Sequence, residues 1–408
     1  VLGVAGAFGL GTLFGASPGV PGAGSTPPAA PPTSSAASSP TSSPSPRPAV
    51  FTLLAAGDVL PHGPVVDSAG GGQDPDFSPL LAGLDRWVRG ADLALCHLEV
   101  PVAPKGTLPT GYPLFGAPPG LLRDLHEQGW DGCSTASNHS VDRGYPGVRA
   151  TLRRLDAEGM GHVGTARSAA EQDAPQLYVL ERAGREITVA HLAATYGLNG
   201  LPTPADAPWA VNLIDADHLV AQARAARRAG ADVVVVSLHA GTEYTETLTD
   251  QQEDVVRRLA RSRQVDLVIG HHAHVPQRID RVGRGPGGHG MWVAYGLGNL
   301  LSNQSSACCD ARTSNGVLLT ATFTQEAPDE PTQVSALRWT GTTVDLAAGH
   351  EVHVLPDVLD DPASTTLSGA ELGARADRVA DAVGHVARER RRPPEATGLP
   401  PRVVPHGR

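Results

Sequence analysis

Aromatic side chains make up only 4% of the 408 residues, so a stacking clamp for a nucleobase would have to come from a few positions. Positive charge is also short: 32 Lys and Arg against 42 Asp and Glu leave a formal net charge of -10. That balance argues against a nucleic-acid partner, whose phosphates would want a basic face. Cysteine is scarce too. Cys96, Cys133, Cys308 and Cys309 fit no zinc-finger spacing, and none follows the apolar start as a lipid-attachment cysteine would. Cys96 and Cys133 sit on predicted strands, where they either face one another or are two small buried side chains. Nothing in the middle of the chain is long and apolar enough to span a bilayer. What is abundant is Gly and Pro, 47 and 36 residues, partly in the N-terminal region and partly in tight loops.

Residues 1–20 are apolar, rich in Gly and Ala, and free of charge. They read as a signal-peptide core or a membrane anchor, with the anchor preferred because no clear cleavage site follows. Residues 21–49 are almost entirely Pro, Ser, Thr, Ala and Gly. Such a segment buries nothing and cannot offset its ordering entropy, so it reads as an extended, disordered tether. Leader and tether together predict an extracytoplasmic domain, secreted or held at a membrane.

The domain is expected over residues 50–356. Short apolar strand patterns at 51–57, 91–99, 130–137, 231–239 and 265–272 alternate with helical spacing at 147–158, 216–229 and 251–262. This alternation predicts an α/β fold with parallel strands, in which ligands sit at the strand C-terminal ends. Residues 315–355 read instead as four consecutive strands, an antiparallel edge or second sheet. A helical extension is predicted over 357–391, its helix running from Ala370 to Arg391, and a disordered tail over 392–408.

Polar residues recur where these strands end. Asp58 follows the first, His97 and Glu99 end the second, and Asn138 and His139 end the third with Asp142 close behind. His239 ends the next, followed by Glu243; His271, His272 and His274 end V-I-G-H-H-A-H; Gly298 and Asn299 close G-L-G-N. A single Asp after a strand is usually a turn or cap residue, and a single His is often a hydrogen-bonded core residue. Delivery of oxygen or imidazole ligands by five strand ends to one rim has no such common explanation. Imidazole with carboxylate and amide oxygen suits divalent Mn, Fe or Zn, and so many ligands have room for two ions.

The series G-D-V at 57, H-L-E-V-P-V at 97, A-S-N-H-S-V-D-R-G at 136, H-A-G-T-E-Y at 239, G-H-H-A-H-V-P-Q at 270 and Y-G-L-G-N at 295 resembles the CapA family of poly-γ-glutamate capsule synthesis proteins. The resemblance covers roughly residues 51–305. It implies a metallophosphoesterase-like four-layer α/β/β/α sandwich with mixed sheets. It also implies metal ligands at Asp58, Glu99, Asn138, His239, His272 and His274, and His139 as general acid in N-H-x-x-D with Asp142. His271 is expected to turn away, and His97, on the same strand face as Glu99, is an alternative to the usual Asn. Two departures stand out: the histidine nearest Asp58 is four residues on, at His62, and Glu99 replaces the usual bridging Asp, which leaves one ion or two open.

The implied role is a metal-dependent hydrolase or transferase acting on an anionic exopolymer or phosphoester, in a membrane-associated capsule-synthesis complex. A secreted phosphodiesterase or nucleotidase is the alternative from the same site. A non-catalytic polymer-binding subunit is the alternative from another class.

Overall fold

Alternation along the first strand sets the architecture. In β1 (Ala49–Val59), Phe51, Leu53 and Ala55 face one apolar core while Leu54 and Ala56 face another. A strand apolar on both faces belongs in a sheet covered on both sides. The computed structural model describes residues 47–72 and 74–406, with positions 22, 24 and 29. The chain divides into residues 1–45 and 46–408, and every element named here belongs to the second part. The apolar segment 1–20 and nearly all of the linker 21–49 lie outside the described residues. Among the described residues no helix is long and apolar enough to cross a membrane.

β1 pairs in parallel with β2 (Leu93–Leu98), which continues to β3 (Gly132–Ser134) and β4 (Gly161–Val163). The second sheet holds β5 (Gln176–Arg182), β6 (Arg185–Thr195), β7 (Val233–His239), β8 (Leu267–His271), β9 (Ile279–Val282) and β10 (Met291–Ala294). In it β6, β7, β8 and β10 run parallel, and β5 and β9 are antiparallel. The chain then returns to the first sheet with β11 (Asn299–Leu301), β12 (Asn315–Gln325), β13 (Gln333–Asp345) and β14 (Glu351–Val354). The antiparallel edge expected over 315–355 is this last run, with one difference. Two of the four predicted strands are a single strand, β13, which pairs with β12 from Gln333 to Thr343 apart from one bulge.

The two sheets pack face to face through side chains such as Leu53, Leu95, Val235 and Ile269. Helices α1 (Gly120–Gln128) and α2 (Gly144–Ala157) cover the outer face of the first sheet. Helices α3 (Ala216–Arg228) and α4 (Asp250–Ser262) cover the second. The result is the four-layer α/β/β/α sandwich with mixed sheets. Helices α2, α3 and α4 fall within a few residues of predicted spans, α1 had no predicted counterpart, and α4 opens on a capping box between Thr249 and Gln252.

The C-terminal region departs from expectation. Helix α5 (Gly369–Val383) stops at Gly384 rather than running to Arg391, and β15 (Arg388–Glu389) then joins β13. Leu372, Val379 and Val383 enter the core between the sheets, so this segment is part of the domain. The tail predicted as disordered instead carries β16 (Arg402–Val404), antiparallel to β5. Its anchor is a buried ion pair. Arg182 Nη2 lies 2.7 Å from Asp92 Oδ1, and Asp92 also accepts from Thr52 N and Thr397 N. A composition without periodicity gave no sign of this, because the partners lie 215 and 305 residues upstream of Thr397.

Removing one member of such a pair leaves an uncompensated buried charge. Arg182→Ala is expected to lower unfolding free energy by about 3–5 kcal/mol, read by urea denaturation; an unchanged midpoint would show that the pair does not anchor the tail.

Candidate metal centre

The strand ends come together because the backbone lets them. A Cβ on Gly57 would fall inside the carbonyl of Gly298, and one on Gly270 inside that of Tyr295. Glycine at these two positions brings neighbouring strands close enough to converge their ends, and Asp58 N donates to Gly298 O at 2.9 Å. Past β8 the chain turns through φ 89° at His272 and 56° at His274. Such values are uncommon for residues with a Cβ and mark a conformation imposed by its surroundings.

Two groups of metal-competent side chains result. Asp58, His97 and His271 form one, and Glu99, His272 and His274 the other, with the donor atoms of each group within 4.8 Å of one another. Asp58 accepts from His271 Nδ1 at 3.1 Å and from the His272 backbone N at 3.2 Å. His274 spans the two carboxylates, with Nδ1 3.3 Å from Asp58 Oδ2 and Nε2 3.7 Å from Glu99 Oε1. Asn299 Oδ1, 3.0 Å from His274 Nδ1, helps fix that ring. All of these side chains are buried.

Four of the six expected ligands, Asp58, Glu99, His272 and His274, fall into these groups. The other two, Asn138 and His239, contact each other beside them: His239 Nε2 is 2.8 Å from Asn138 Oδ1 and 3.8 Å from Glu99 Oε1. His271 differs from expectation. Its ring faces Asp58 rather than turning away, stacked on His97 with centroids 3.9 Å apart. His97 points to the same place, held by Ser134 Oγ at 2.8 Å and by His239 Nδ1 at 2.9 Å. Partners of this kind orient imidazoles for metal binding. His62 stays apart from both groups, its Nδ1 3.0 Å from Leu60 O.

The electrostatics match a cation site. Burial raises the carboxyl of Asp58, but hydrogen bonds from His271 and His274 outweigh it and hold the group well below the usual range. Burial, reinforced by the charges of Asp58 and Glu243, pushes Glu99 well above its usual range despite the attraction of His274. Burial also opposes charge on His274, yet Glu99 and Asp58 raise it to about 9. Burial and neighbouring imidazoles lower His97 and His239, and bring His272 down to about 3. Neutral imidazole is the form that binds metal.

The residues present fit a divalent ion. Both carboxylate oxygens of Glu99 and Nδ1 of His272 are buried without a hydrogen-bond partner. Unsatisfied buried groups of this kind are costly, and a cation would satisfy all three. Mixed imidazole and carboxylate donors suit Mn, Fe or Zn. A third group, His162, Glu171 and His406, lies elsewhere. There the Arg167 guanidinium holds both oxygens of Glu171 and serves as its cation.

Beside the ligands, His139 Nδ1 lies 2.7 Å from Asp142 Oδ2, which also accepts from Phe115 N at 2.8 Å. This pair lines a cleft of about 710 Å³ together with His274, Asn199, Tyr112 and Tyr244. Glu243 is exposed at this cleft rather than among the ligands. Asn199 Nδ2 is 3.4 Å from His139 Nε2, and Tyr196 packs against His272 with centroids 4.5 Å apart. Tyr196 and Asn199 follow the end of β6, a strand not among those expected from the sequence, and neither was singled out there. Cys96 and Cys133 are bonded across β2 and β3 at paired positions, and Cys308 and Cys309 form a bonded pair lining the cleft.

The family model for bacterial capsule synthesis protein PGA_cap matches residues 52–304. Among curated proteins, the chain is 24% identical to the capsule biosynthesis protein CapA of Bacillus anthracis over 186 residues, 45% of this chain and 43% of that protein. It is 26% identical to the PGA biosynthesis protein CapA of Bacillus subtilis over 184 residues, 45% of each. The chain thus spans less than half the length of the curated relatives it matches. A solved 5'-nucleotidase precursor from Thermus thermophilus superposes with a TM-score of 0.45 at 16% identity, over 81% of this chain and 58% of that one.

His239→Ala and His272→Ala are each expected to lower metal content at least about tenfold while the fold persists, by elemental analysis alongside circular dichroism. Stoichiometric metal in both variants would sink the proposed centre.

Proposed function

Since this chain belongs to the bacterial capsule synthesis protein PGA_cap family, we propose that it acts as a metal-dependent hydrolase or transferase on an anionic exopolymer of the poly-γ-glutamate kind. The observation that carries this reading is the unsatisfied Glu99 carboxylate among imidazoles, next to a His139–Asp142 pair on an open cleft.

Asp58, His97 and His271 would hold one ion and Glu99, His272 and His274 a second, with Asn138 and His239 beside them. Bound there, divalent ions supply hydroxide near neutral pH and neutralise developing charge on the reacting group. The chain's own residues do the rest. Asp142 takes the hydrogen bond from His139 Nδ1–H, which fixes the tautomer and orients the ring. His139 Nε2 is then the atom that carries a proton to the leaving group, on the cleft side. Asn199 restricts the ring from the other end. Glu99, buried and without a proton donor, is available to a cation alone.

The same residues suit a phosphodiester or an amide-type bond. One observation favours the phosphoester alternative: Tyr112, 80% exposed, lines the cleft with Tyr244. These are the aromatic surfaces that a nucleobase would need and that the composition made scarce. The family and its relatives' names favour the polymer reading. The apolar segment 1–20 and the Pro/Ser/Thr-rich 21–49 support placing the domain outside the cytoplasm, tethered near a capsule-synthesis membrane complex.

His139→Ala is expected to retain metal but lose about 10²- to 10⁴-fold in turnover, assayed on γ-linked glutamate oligomers and on a phosphodiester. Wild-type rates in that variant would rule out His139 as the acid. Turnover of the phosphodiester alone by the wild type would move the reading to the phosphodiesterase.

A further inference from the structure

Among the described residues no Lys or Arg lines the metal cleft, and it carries the acidic Asp142 and Glu243. A charged polymer therefore meets no fixed positive side chain there beyond imidazole. The missing charge lies next door. A depression of about 730 Å³ is lined by Lys105, Arg149, Arg153, Tyr145 and Leu201. A smaller one of about 380 Å³ shares Pro104, Lys105 and Arg153 with it, so the two run together as one groove.

This groove opens beside the cleft. Leu201 lines both. So does one loop: Val141 and Gly144 face the groove, while His139 and Asp142 face the cleft.

The three cations are placed for a ligand outside the chain. Lys105 is the only lysine in the sequence. Arg149 and Arg153 are exposed four residues apart on α2, where like charges repel mildly along one helix face. Among the described residues none of the three is held in an ion pair, whereas the adjacent Arg154 is paired with Glu158. Arg149 instead lies 5.9 Å from the ring centroid of Tyr145. Asp206 is the one carboxylate lining the larger depression, and it is exposed.

We propose that this groove binds the flanking anionic groups of an extended polymer whose reacting unit sits in the metal cleft. The inference rests on the exopolymer reading above. Its chemistry is a row of cations facing a row of anions, carboxylate in a γ-glutamyl chain or phosphate in a polyphosphate-like one. Exposed contacts of this kind are individually weak and screened by salt, and they gain from being repeated along one chain.

The test compares the wild-type protein with Lys105→Ala/Arg149→Ala/Arg153→Ala, both as the full chain. Fluorescence anisotropy would follow a labelled γ-linked glutamate oligomer and a labelled inorganic polyphosphate at low and high salt. Metal content and turnover of a small ester too short to reach the groove would be measured in parallel. The expected result is an affinity for the glutamate oligomer about tenfold lower in the variant, with a shallower salt dependence, unchanged metal and unchanged small-ester turnover. Equal oligomer binding by both proteins would overturn the groove while leaving the polymer reading in place. Groove-dependent binding of polyphosphate alone would keep the groove as a polyanion site and overturn the glutamyl reading. Wild-type protein that binds neither polymer would overturn the groove outright.

Discussion

The carboxylates of Asp58 and Glu99 are both completely buried, at the seam where the two sheets' strand ends meet. Charge removed from water in this way costs several kcal/mol per ion unless partners replace the lost solvation. Asp58 has them, in His271, His274 and the backbone of His272. Glu99 does not: His239 and His274 approach to 3.8 and 3.7 Å, and neither oxygen is hydrogen-bonded. The arrangement satisfies one acid internally and leaves the other for a cation. The left-handed turn after β8 brings His272 and His274 within reach of that unsatisfied acid, while the stacked imidazoles of His97 and His271 stand at Asp58.

The scaffold can bear this cost because the strands bringing the ligands are locked on both faces. β1, β7 and β8 are apolar toward the opposing sheet and toward the helices, so their ends cannot shift without disturbing two cores. Ligands carried at the ends of such strands are placed more sharply than ligands on free loops. The glycines that allow close backbone approach, Gly57 and Gly270, stand next to or near these ligands for the same reason.

Charge is divided between two neighbouring surfaces. The cleft is acidic and partly aromatic, suited to a group that the metal centre itself would neutralise. The groove beside it is basic, on a chain whose overall charge is negative. Such a local reversal of sign focuses the field and draws anions to one face, even though the net charge repels them at a distance.

The strand-end carboxylates and imidazoles were legible in the sequence because a short apolar run announces where a strand ends, and Asp58, Glu99, Asn138, His239, His272 and His274 each stand at the end of a predicted strand. The α/β class was legible for a related reason, since strands alternating with helices admit few arrangements, whereas the four-layer order was implied by the family resemblance. Orientation was not legible. The pairing of β1 with β2 shifts between Ala55 and Asp58, and the chain past β8 turns through positive φ. The first sets His97 opposite Asp58 and the second turns His272 and His274 toward Glu99, and no local spacing encodes either. The tail was misread because its order comes from Asp92, Arg182 and β5, contacts made across the whole chain. Sequence by itself determined which residues bear metal-competent atoms and roughly where the strands deliver them, because an apolar run is a local property of the chain. Only the tertiary structure decided which of those atoms meet, which stay unsatisfied, and where the basic groove lies, because burial and charge pairing depend on segments that fold together from far apart.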